Sequence, residues 1–138
     1  MKGTILDAHI EGKNTYVTKQ TKYGTFKGKA ILHPEDEDVY SEIRGYTIAE
    51  LKCDIQALRA KAEYFRQRLL GIQHAYNVLW KSGIDVNDSI MVKLNRQKNV
   101  AQREFENAHE IYKINKDTLT FRIERNLDFA RKAKQKKN

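Results

Sequence analysis

The sequence predicts an α+β fold, in which a short N-terminal antiparallel β-meander precedes a long antiparallel two-helix hairpin of the coiled-coil type. Residues 1–32 hold three β-prone segments separated by turn-forming residues, and residues 47–82 carry an apolar heptad repeat. The composition fits this fold: 40% hydrophobic and 32% charged residues are lean for a compact globule but sufficient for a narrow helical seam. The 138 residues are expected to form a single domain.

Three segments of the N-terminal region are predicted strands. Residues 4–10 form the first, and the β-branched and aromatic residues 15–18 form the second. The third, residues 24–32, alternates apolar with basic side chains. A three-stranded sheet with one apolar face is not stable alone, so we expect it to pack on a helix or on another copy of the chain.

Residues 33–46 are predicted to form an exposed acidic loop. Pro34 disfavours a helical conformation for His33, and four consecutive carboxylates follow in residues 35–38. Their spacing lacks the pattern of a calcium loop, and they favour the N-terminus of the following helix instead. We therefore expect neither a metal ion nor any other cofactor.

The first helix is predicted over residues 47–82. Thr47 and Glu50 have the spacing of a capping box, although a start near Ser41 also fits the pattern. Apolar residues recur at alternating spacings of three and four and predict an a/d seam against a second helix. The seam residues are Ile48, Leu51, Ile55, Leu58, Ala62, Phe65, Leu69, Ile72, Tyr76 and Leu79.

The second helix is predicted over residues 86–133, followed by a basic tail at residues 134–138. Gly83 supplies a C-cap for the first helix, and Asp85 is the candidate N-cap of the second. Its seam is less regular and includes polar positions, which often fix register or oligomeric state. The residues on or beside it are Ile90, Leu94, Gln97, Ala101, Phe105, Ala108, Tyr112, Asn115, Leu119, Ile123, Asn126, Leu127 and Ala130.

The two predicted helices differ in length. At about 1.5 Å per residue the second outruns the first by about 20 Å, so a hairpin that turns at Gly83 brings Thr47 near residue 120. Everything from Phe121 onward then needs another partner, either the sheet or a second subunit. We therefore expect a homo-oligomer, a dimer or larger.

Charge and cysteine content limit the classes of protein that fit. The net charge is +8, and much of the excess lies at the end of the chain. This end is either a solvated helix terminus that suits the helix dipole or a nucleic-acid-binding arm. No window resembles a membrane span or a signal peptide, and the single cysteine, Cys53, fits a small apolar residue of a helix. We expect no membrane association and a reducing, cytosolic environment.

The sequence lacks the common motifs of catalysis. It has no glycine-rich phosphate loop, no His-Glu-x-x-His motif and no paired-cysteine metal motif. Glu106 and His109 have the spacing of half a di-iron site, but such bundles need two further glutamates and a second copy of the motif. We therefore expect no enzymatic activity and assign no catalytic residue.

A set of arginines and aromatic residues on the helices is the remaining candidate for function. Guanidinium groups donate paired hydrogen bonds to phosphate, and aromatic faces stack on nucleobases. The set comprises Tyr64, Phe65, Arg66, Arg68, Tyr76, Trp80, Phe121, Arg122, Arg125 and Phe129. A structural alternative is open for each member, since aromatic residues at helical spacing belong to cores and arginines beside a seam form interhelical ion pairs.

One stretch resembles a known group of proteins. Residues 24–38, followed by Ser41, Glu42 and residues 48–51, resemble small accessory proteins of phages that infect Gram-positive bacteria. The shared outline is a strand with Gly-x-Ala, then His-Pro-Glu-Asp, then a long basic helical hairpin. In layout the chain is most similar to the anti-Thoeris phage proteins, which act as sponges for cyclic ADP-ribose signals.

The resemblance implies a non-enzymatic oligomer in the host cytoplasm that encloses a cyclic ADP-ribose-type nucleotide between subunits and so inhibits anti-phage defence. A diphosphate would call for arginines, and an adenine for aromatic walls. The implied ligand-binding residues are Arg59, Arg66, Arg68, Arg122 and Arg125 for phosphate, with Tyr64, Trp80 and Phe121 for stacking.

Two other functions stay open. One is a nucleic-acid-binding protein that uses the basic second helix and tail, whose affinity would fall steeply with salt because phosphate contacts release counterions. The other is a protein-interaction module that inhibits a host or CRISPR complex or aids phage assembly.

Overall fold

The computed structural model of the chain describes residues 1–31 and 42–137. It has the predicted α+β class, since a three-stranded antiparallel sheet precedes two long helices. The elements are β1 (Thr4–Glu11), β2 (Asn14–Thr21), β3 (Gly24–Ile31), α1 (Glu42–Lys81) and α2 (Ser89–Lys137). Within these ranges, neither helix has an apolar stretch long enough to cross a membrane.

The chain divides into two compact units. The first, the sheet unit, comprises Met1–Ala57 and Lys113–Asn138 and contains the whole sheet. The second, the hairpin unit, is Leu58–Tyr112 and contains the turn between α1 and α2.

The sheet has the order β1-β2-β3, with both pairs antiparallel. Val17 of the middle strand lies opposite Ala8 of β1 and Gly28 of β3. A short turn joins β1 to β2, and Gly12 adopts a φ of 61° there, a value that suits glycine in two-residue hairpin turns. The register shifts between Ile5 and Asp7, which places a β-bulge in β1.

The sheet packs on α1 through a stripe of small residues. Ala49, Cys53 and Ala57 recur every fourth residue and are completely buried. Small side chains let the backbones approach closely: a Cβ atom added to Gly28 would clash with the Ala49 carbonyl oxygen. The expectation that a helix covers the sheet is confirmed, although the sequence analysis did not identify this stripe. The core cluster contains Val17, Ala30, Ile48, Ala49 and Cys53, flanked by Ile5, Phe26, Tyr46 and Leu119.

A lysine is buried in this interface. The Lys19 ammonium donates to Asp54 Oδ1 at 2.8 Å, to Glu50 Oε1 at 3.2 Å and to the Met1 carbonyl oxygen at 2.8 Å. Burial by itself lowers the pKa of Lys19, but the hydrogen bonds to Asp54 and Glu50 outweigh burial and raise it above the ordinary value. The three donated hydrogen bonds allow a charged group to replace an apolar one between β2 and α1.

The heptad seam of α1 is confirmed. Every predicted position from Ile48 to Leu79 is buried or half-buried. In the hairpin unit α1 faces an antiparallel α2: Lys98 lies 5.0 Å from the ring centroid of Tyr76, and Arg68 lies 3.7 Å from Glu104.

The predicted seam of α2 is wrong at two apolar positions. Ile90 and Ile123 are 48% and 38% exposed. Met91, next to Ile90, is buried instead, and the spacing of three and four continues from it. Half-buried Lys98 and Asn115 occupy positions of this repeat, so an assignment that follows apolar residues alone loses the register. The buried or half-buried positions of this repeat are Met91, Leu94, Lys98, Ala101, Phe105, Ala108, Tyr112, Asn115 and Leu119, and the predicted positions Asn126 and Leu127 are also half-buried.

Helix α1 begins at Glu42, not at the predicted residue 47. Thr47 is no cap, because its hydroxyl donates to the Ile43 carbonyl oxygen at 2.7 Å, as threonines inside helices do. Residues 42–46 of the predicted acidic loop are therefore helical, and the rest of that loop lies outside the described residues.

Helix α2 also differs from its predicted bounds. It starts at Ser89, not at residue 86, because Asp88 caps it: the Asp88 carboxylate accepts from the Ile90 amide at 3.0 Å. The predicted cap Asp85 accepts from the Asn87 amide at 2.9 Å, within the preceding turn. Gly83 has a φ of 86°, which confirms it as the glycine that ends α1. The predicted basic tail is helical as far as Lys137.

Candidate functional site

The eight predicted ligand-binding residues fall into separate places. Arg122 and Arg125 line a cavity of the sheet unit, while Arg59 and Arg66 line a cavity of the hairpin unit. The other four belong to neither described cavity lining. Arg68 forms an ion pair with Glu104 at 3.7 Å, Tyr64 contacts Phe65 edge-on with ring centroids 5.3 Å apart, and Trp80 and Phe121 are 56% and 61% exposed.

The cavity of the sheet unit, here called the arginine cavity, lies between the first turns of α1 and the segment of α2 that follows Phe121. Its volume is about 380 Å³, within the usual range for small-molecule sites. The described lining residues are Ile43, Arg44, Thr47, Ile48, Arg122, Arg125 and Asn126. The expectation that everything from Phe121 onward needs the sheet or a second subunit as its partner is therefore wrong for Arg122, Arg125 and Asn126, because the early start of α1 places its first turns beside them.

Three of the described lining residues of the arginine cavity are arginines. Arg44, Arg122 and Arg125 line it, and none of its described lining residues carries a carboxylate. Arg122 and Arg125 form no ion pair with a carboxylate of residues 1–31 and 42–137, and both residues are exposed.

The remaining lining of the arginine cavity is mixed. The Thr47 hydroxyl proton is used within α1, so its oxygen can only accept a hydrogen bond from a ligand. Asn126 offers an amide that both donates and accepts, and Ile43 and Ile48 provide an apolar wall. Such a set can hold an anion with hydroxyl and apolar parts, as a nucleotide has.

The cavity of the hairpin unit, here called the aromatic cavity, has a volume of about 320 Å³. The Phe105 and His109 rings stack at 5.8 Å between centroids, but the Arg66 guanidinium already contacts the Glu63 carboxylate at 3.0 Å. A hydrogen bond from Gln67 holds the pKa of Glu63 below its ordinary value, and the charge of Arg66 acts in the same direction. A carboxylate therefore offsets the positive charge here. The lining is Arg59, Ala62, Glu63, Arg66, Phe105, His109 and Tyr112.

The described residues form neither a metal site at Glu106 nor a reactive thiol at Cys53. Glu106 accepts a hydrogen bond from Gln102 at 2.8 Å, and no group of three metal-ligating side chains occurs within residues 1–31 and 42–137. The Cys53 thiol is completely buried and donates to the Val17 carbonyl oxygen at 3.3 Å. Burial raises the pKa of Cys53, with the nearby Asp54 charge acting in the same sense, so the reactive thiolate is scarce.

Arg44 was missed by the sequence analysis. It lies in the stretch predicted as an acidic loop, where no helical face was assigned. The signal was present in its spacing, since Arg44 precedes the seam residue Ile48 by one helical turn. A helix that starts near Ser41, the start also left open, would have placed Arg44 beside the α1 seam.

Comparison of the chain with protein-family models, with curated proteins and with solved structures gives no match.

Proposed function

We propose that this protein is a non-enzymatic binding protein that sequesters a cyclic ADP-ribose-type nucleotide in the arginine cavity, as a phage protein that inhibits an anti-phage defence in the host cytoplasm would. The observation that carries the proposal is the lining of this cavity. It brings Arg122 and Arg125 together with Arg44, and its described part contains no carboxylate.

Charge is the first argument. A diphosphate carries two negative charges, and arginine binds phosphate oxygens through paired hydrogen bonds in a fixed geometry. Arg122 and Arg125 are three residues apart on α2, so they lie on the same face of the helix. Two guanidinium groups on one helical face suit a ligand with two adjacent phosphates better than a ligand with a single charge.

Shape is the second argument. A volume of about 380 Å³ is enough for part of a nucleotide of this class. The Ile43 and Ile48 side chains offer apolar surface to a base or ribose, and Ile43 is 77% exposed. No described lining residue is aromatic, so the stacking expected from Tyr64, Trp80 or Phe121 is not part of this cavity. We expect a second copy of the chain to cover the open side, as the proposed oligomer requires.

The lining of the arginine cavity also suits a site that binds a nucleotide without converting it. Its described polar groups are guanidinium, hydroxyl and amide groups, which bind phosphate but are poor general acids or bases at neutral pH. A nucleotide bound there is expected to leave chemically unchanged when the protein unfolds.

A recovery experiment tests this proposal. Purified protein is incubated with a panel of cyclic ADP-ribose isomers and cyclic dinucleotides, filtered to remove free nucleotide and heat-denatured, and the supernatant is analysed by mass spectrometry. We expect intact nucleotide from the wild type and none from the double variant Arg122→Glu and Arg125→Glu. Arg96→Glu is the matched control, because Arg96 is an exposed arginine of α2 outside both described cavity linings.

Three results would contradict the proposal. Recovery of a chemically altered nucleotide would indicate an enzyme. Equal retention by the double variant would place the ligand elsewhere. Retention of nothing from the panel would favour a protein-interaction module, for which a pull-down with host lysate is the next step.

A further inference from the structure

The two edges of the sheet differ in whether their main-chain hydrogen-bonding groups have partners. At the β3 edge, Lys52 Nζ donates to the Lys29 carbonyl oxygen at 2.6 Å and Gln56 Nε2 donates to the Lys27 carbonyl oxygen at 2.7 Å. Side chains of α1 thus satisfy main-chain acceptors of β3 that would otherwise be open to another strand. At the other edge, β1 pairs with β2 on one side only, and no strand of the described residues pairs with its second side.

The main-chain groups that face this open edge can be identified. Alternate residues of an antiparallel strand direct their hydrogen bonds to opposite sides. The Lys27 and Lys29 carbonyl groups point away from β2, so the main-chain groups of the intervening Gly28 point toward β2 and bond to Val17. The main-chain N–H and C=O of Val17 are therefore directed toward β3. Ala8, opposite Val17 on β1, therefore directs its N–H and C=O away from β2, to the open edge.

The side chains of β1 are unusually exposed to solvent for a strand in a small sheet. Every residue of β1 except Ile5 is exposed, including Leu6 at 54% and Ile10 at 46%. Natural edge strands are often protected by lysine, proline or a β-bulge. β1 contains no lysine or proline, and its bulge lies near Leu6, outside the segment Asp7–Ala8–His9. Its charged and titratable side chains are Asp7, His9 and Glu11, and His9 Nδ1 lies 2.6 Å from Asp7 Oδ2.

We propose that β1 pairs antiparallel with β1 of a second copy about a two-fold axis at Ala8, so that two three-stranded sheets join into one continuous sheet. In this register Ala8 faces Ala8 of the other copy, and Asp7 faces His9 in both directions. The pairing thus places opposite charges together on one face and the two Ala8 side chains together on the other.

Other symmetric registers are poorer. Residues that lie directly opposite each other share a face of the sheet. The apolar side chains therefore stay on the α1 side only if Ala8 or Ile10 of one copy lies opposite Ala8 or Ile10 of the other. A two-fold axis at His9 would place Asp7 opposite Glu11, and an axis at Asp7 would place two aspartates together; both oppose like charges. An axis at Ile10 is compatible in charge but leaves a much shorter overlap.

The β-bulge near Leu6 limits the extent of the pairing without preventing it. The residues closest to the proposed axis, Asp7, Ala8 and His9, lie beyond the irregularity and keep a regular register with β2. A bulge at this place also prevents pairing with the N-terminal part of β1, which favours one register over a sliding contact.

Cysteine cross-linking tests the proposal. In a hydrogen-bonded antiparallel pair the two Ala8 Cα atoms would lie about 5.5 Å apart, within disulfide range. The single variant Ala8→Cys is expected to give a dimer-sized band under mild oxidation, about twice the 16.1 kDa of the chain. Ile31→Cys, another exposed position, at the β3 edge, is the matched control and is expected to stay monomeric on the gel.

Charge substitution gives an independent readout. His9→Asp places a carboxylate opposite Asp7 of the other copy and is expected to weaken self-association about tenfold. The double variant Asp7→His with His9→Asp restores complementary pairs and is expected to restore the association, with light scattering after size-exclusion chromatography as the measurement. A wild-type protein that stays monomeric at all concentrations overturns the proposal. So does an oligomer that cross-links through residue 31 and not through residue 8, or one that the charge variants leave unchanged.

Discussion

Lys19 Nζ lies 2.8 Å from Asp54 Oδ1, and this ion pair joins the middle strand of the sheet to α1. The Lys19 side chain is 5% exposed and that of Asp54 15%, so the pair is largely shielded from water. Shielding strengthens the attraction and also makes the loss of either partner costly, because the remaining charge stays in an apolar environment.

The first prediction concerns this pair. Lys19→Met should lower the free energy of unfolding by about 3 kcal/mol, because it leaves the Asp54 carboxylate without its main partner. Lys27→Met, an exposed lysine on the neighbouring strand, should change it by less than about 0.5 kcal/mol. Urea denaturation followed by circular dichroism measures both. Equal effects of the two substitutions would contradict a structural role for the buried pair.

The pH dependence of stability follows from the same lysine. Because the folded-state pKa of Lys19 is raised, its contribution is complete below the unfolded-state value of about 10.4 and is lost as the pH rises through the folded-state pKa. The difference in stability between the wild type and Lys19→Met should therefore be constant near neutral pH and shrink above about pH 10.4. A difference that shrinks between pH 5 and 8 would instead implicate another group.

Two glycines give opposite predictions for the same chemical change. Gly28→Ala should destabilise the protein by about 1–3 kcal/mol or more, because the new methyl group meets the Ala49 carbonyl oxygen. Gly71→Ala should stabilise it by about 0.5–1 kcal/mol, because Gly71 lies inside α1 with open space around the added carbon. Thermal denaturation of the two variants compares them directly. A neutral Gly28→Ala would mean that β3 and α1 are not in close contact.

The thiol of Cys53 should report on unfolding. It is buried against Val17 and its pKa is raised by burial, so alkylation of the native protein should be at least about a hundredfold slower than that of the denatured chain. Mass spectrometry after timed iodoacetamide treatment gives the two rates. Fast labelling of the native protein would show that the interface between sheet and helix opens readily.

The sequence was informative where one strong periodicity decides the structure. The α1 seam is visible because leucine, isoleucine and aromatic residues repeat at intervals of three and four over the whole helix. The stripe of Ala49, Cys53 and Ala57 was missed because small residues fit both exposed and buried positions. Buried Lys19 was unpredictable from the sequence, since lysine is almost never buried without partners, and those partners lie on another element.

The arginine cavity, too, could be predicted only in part from the sequence. Arg122 and Arg125 were identified by residue type, but their neighbour Arg44 depends on where α1 begins. Helix boundaries are the least certain feature of any sequence pattern, and a shift of one turn decides which side chains meet. Arg59 and Arg66 have the same residue type, yet the structure places them beside Glu63.

The basic end of α2 distinguishes nucleotide binding from nucleic-acid binding. Deletion of residues 131–138 should leave nucleotide retention unchanged, because the described lining of the arginine cavity ends at Asn126. The same deletion should weaken any binding of nucleic acid and flatten its salt dependence, because fewer counterions are released. Filter binding at several salt concentrations measures the second effect. Loss of nucleotide retention on deletion would contradict the assigned site.

Calorimetric titration of arginine variants with a cyclic ADP-ribose isomer tests the central claim most directly. Each of Arg122→Gln and Arg125→Gln should weaken binding at least about tenfold, the effect of losing one charge-assisted hydrogen bond, while Arg59→Gln and Arg66→Gln in the aromatic cavity should leave the dissociation constant within about twofold. The reverse pattern, or equal affinity across all four variants, would contradict a nucleotide site in the arginine cavity.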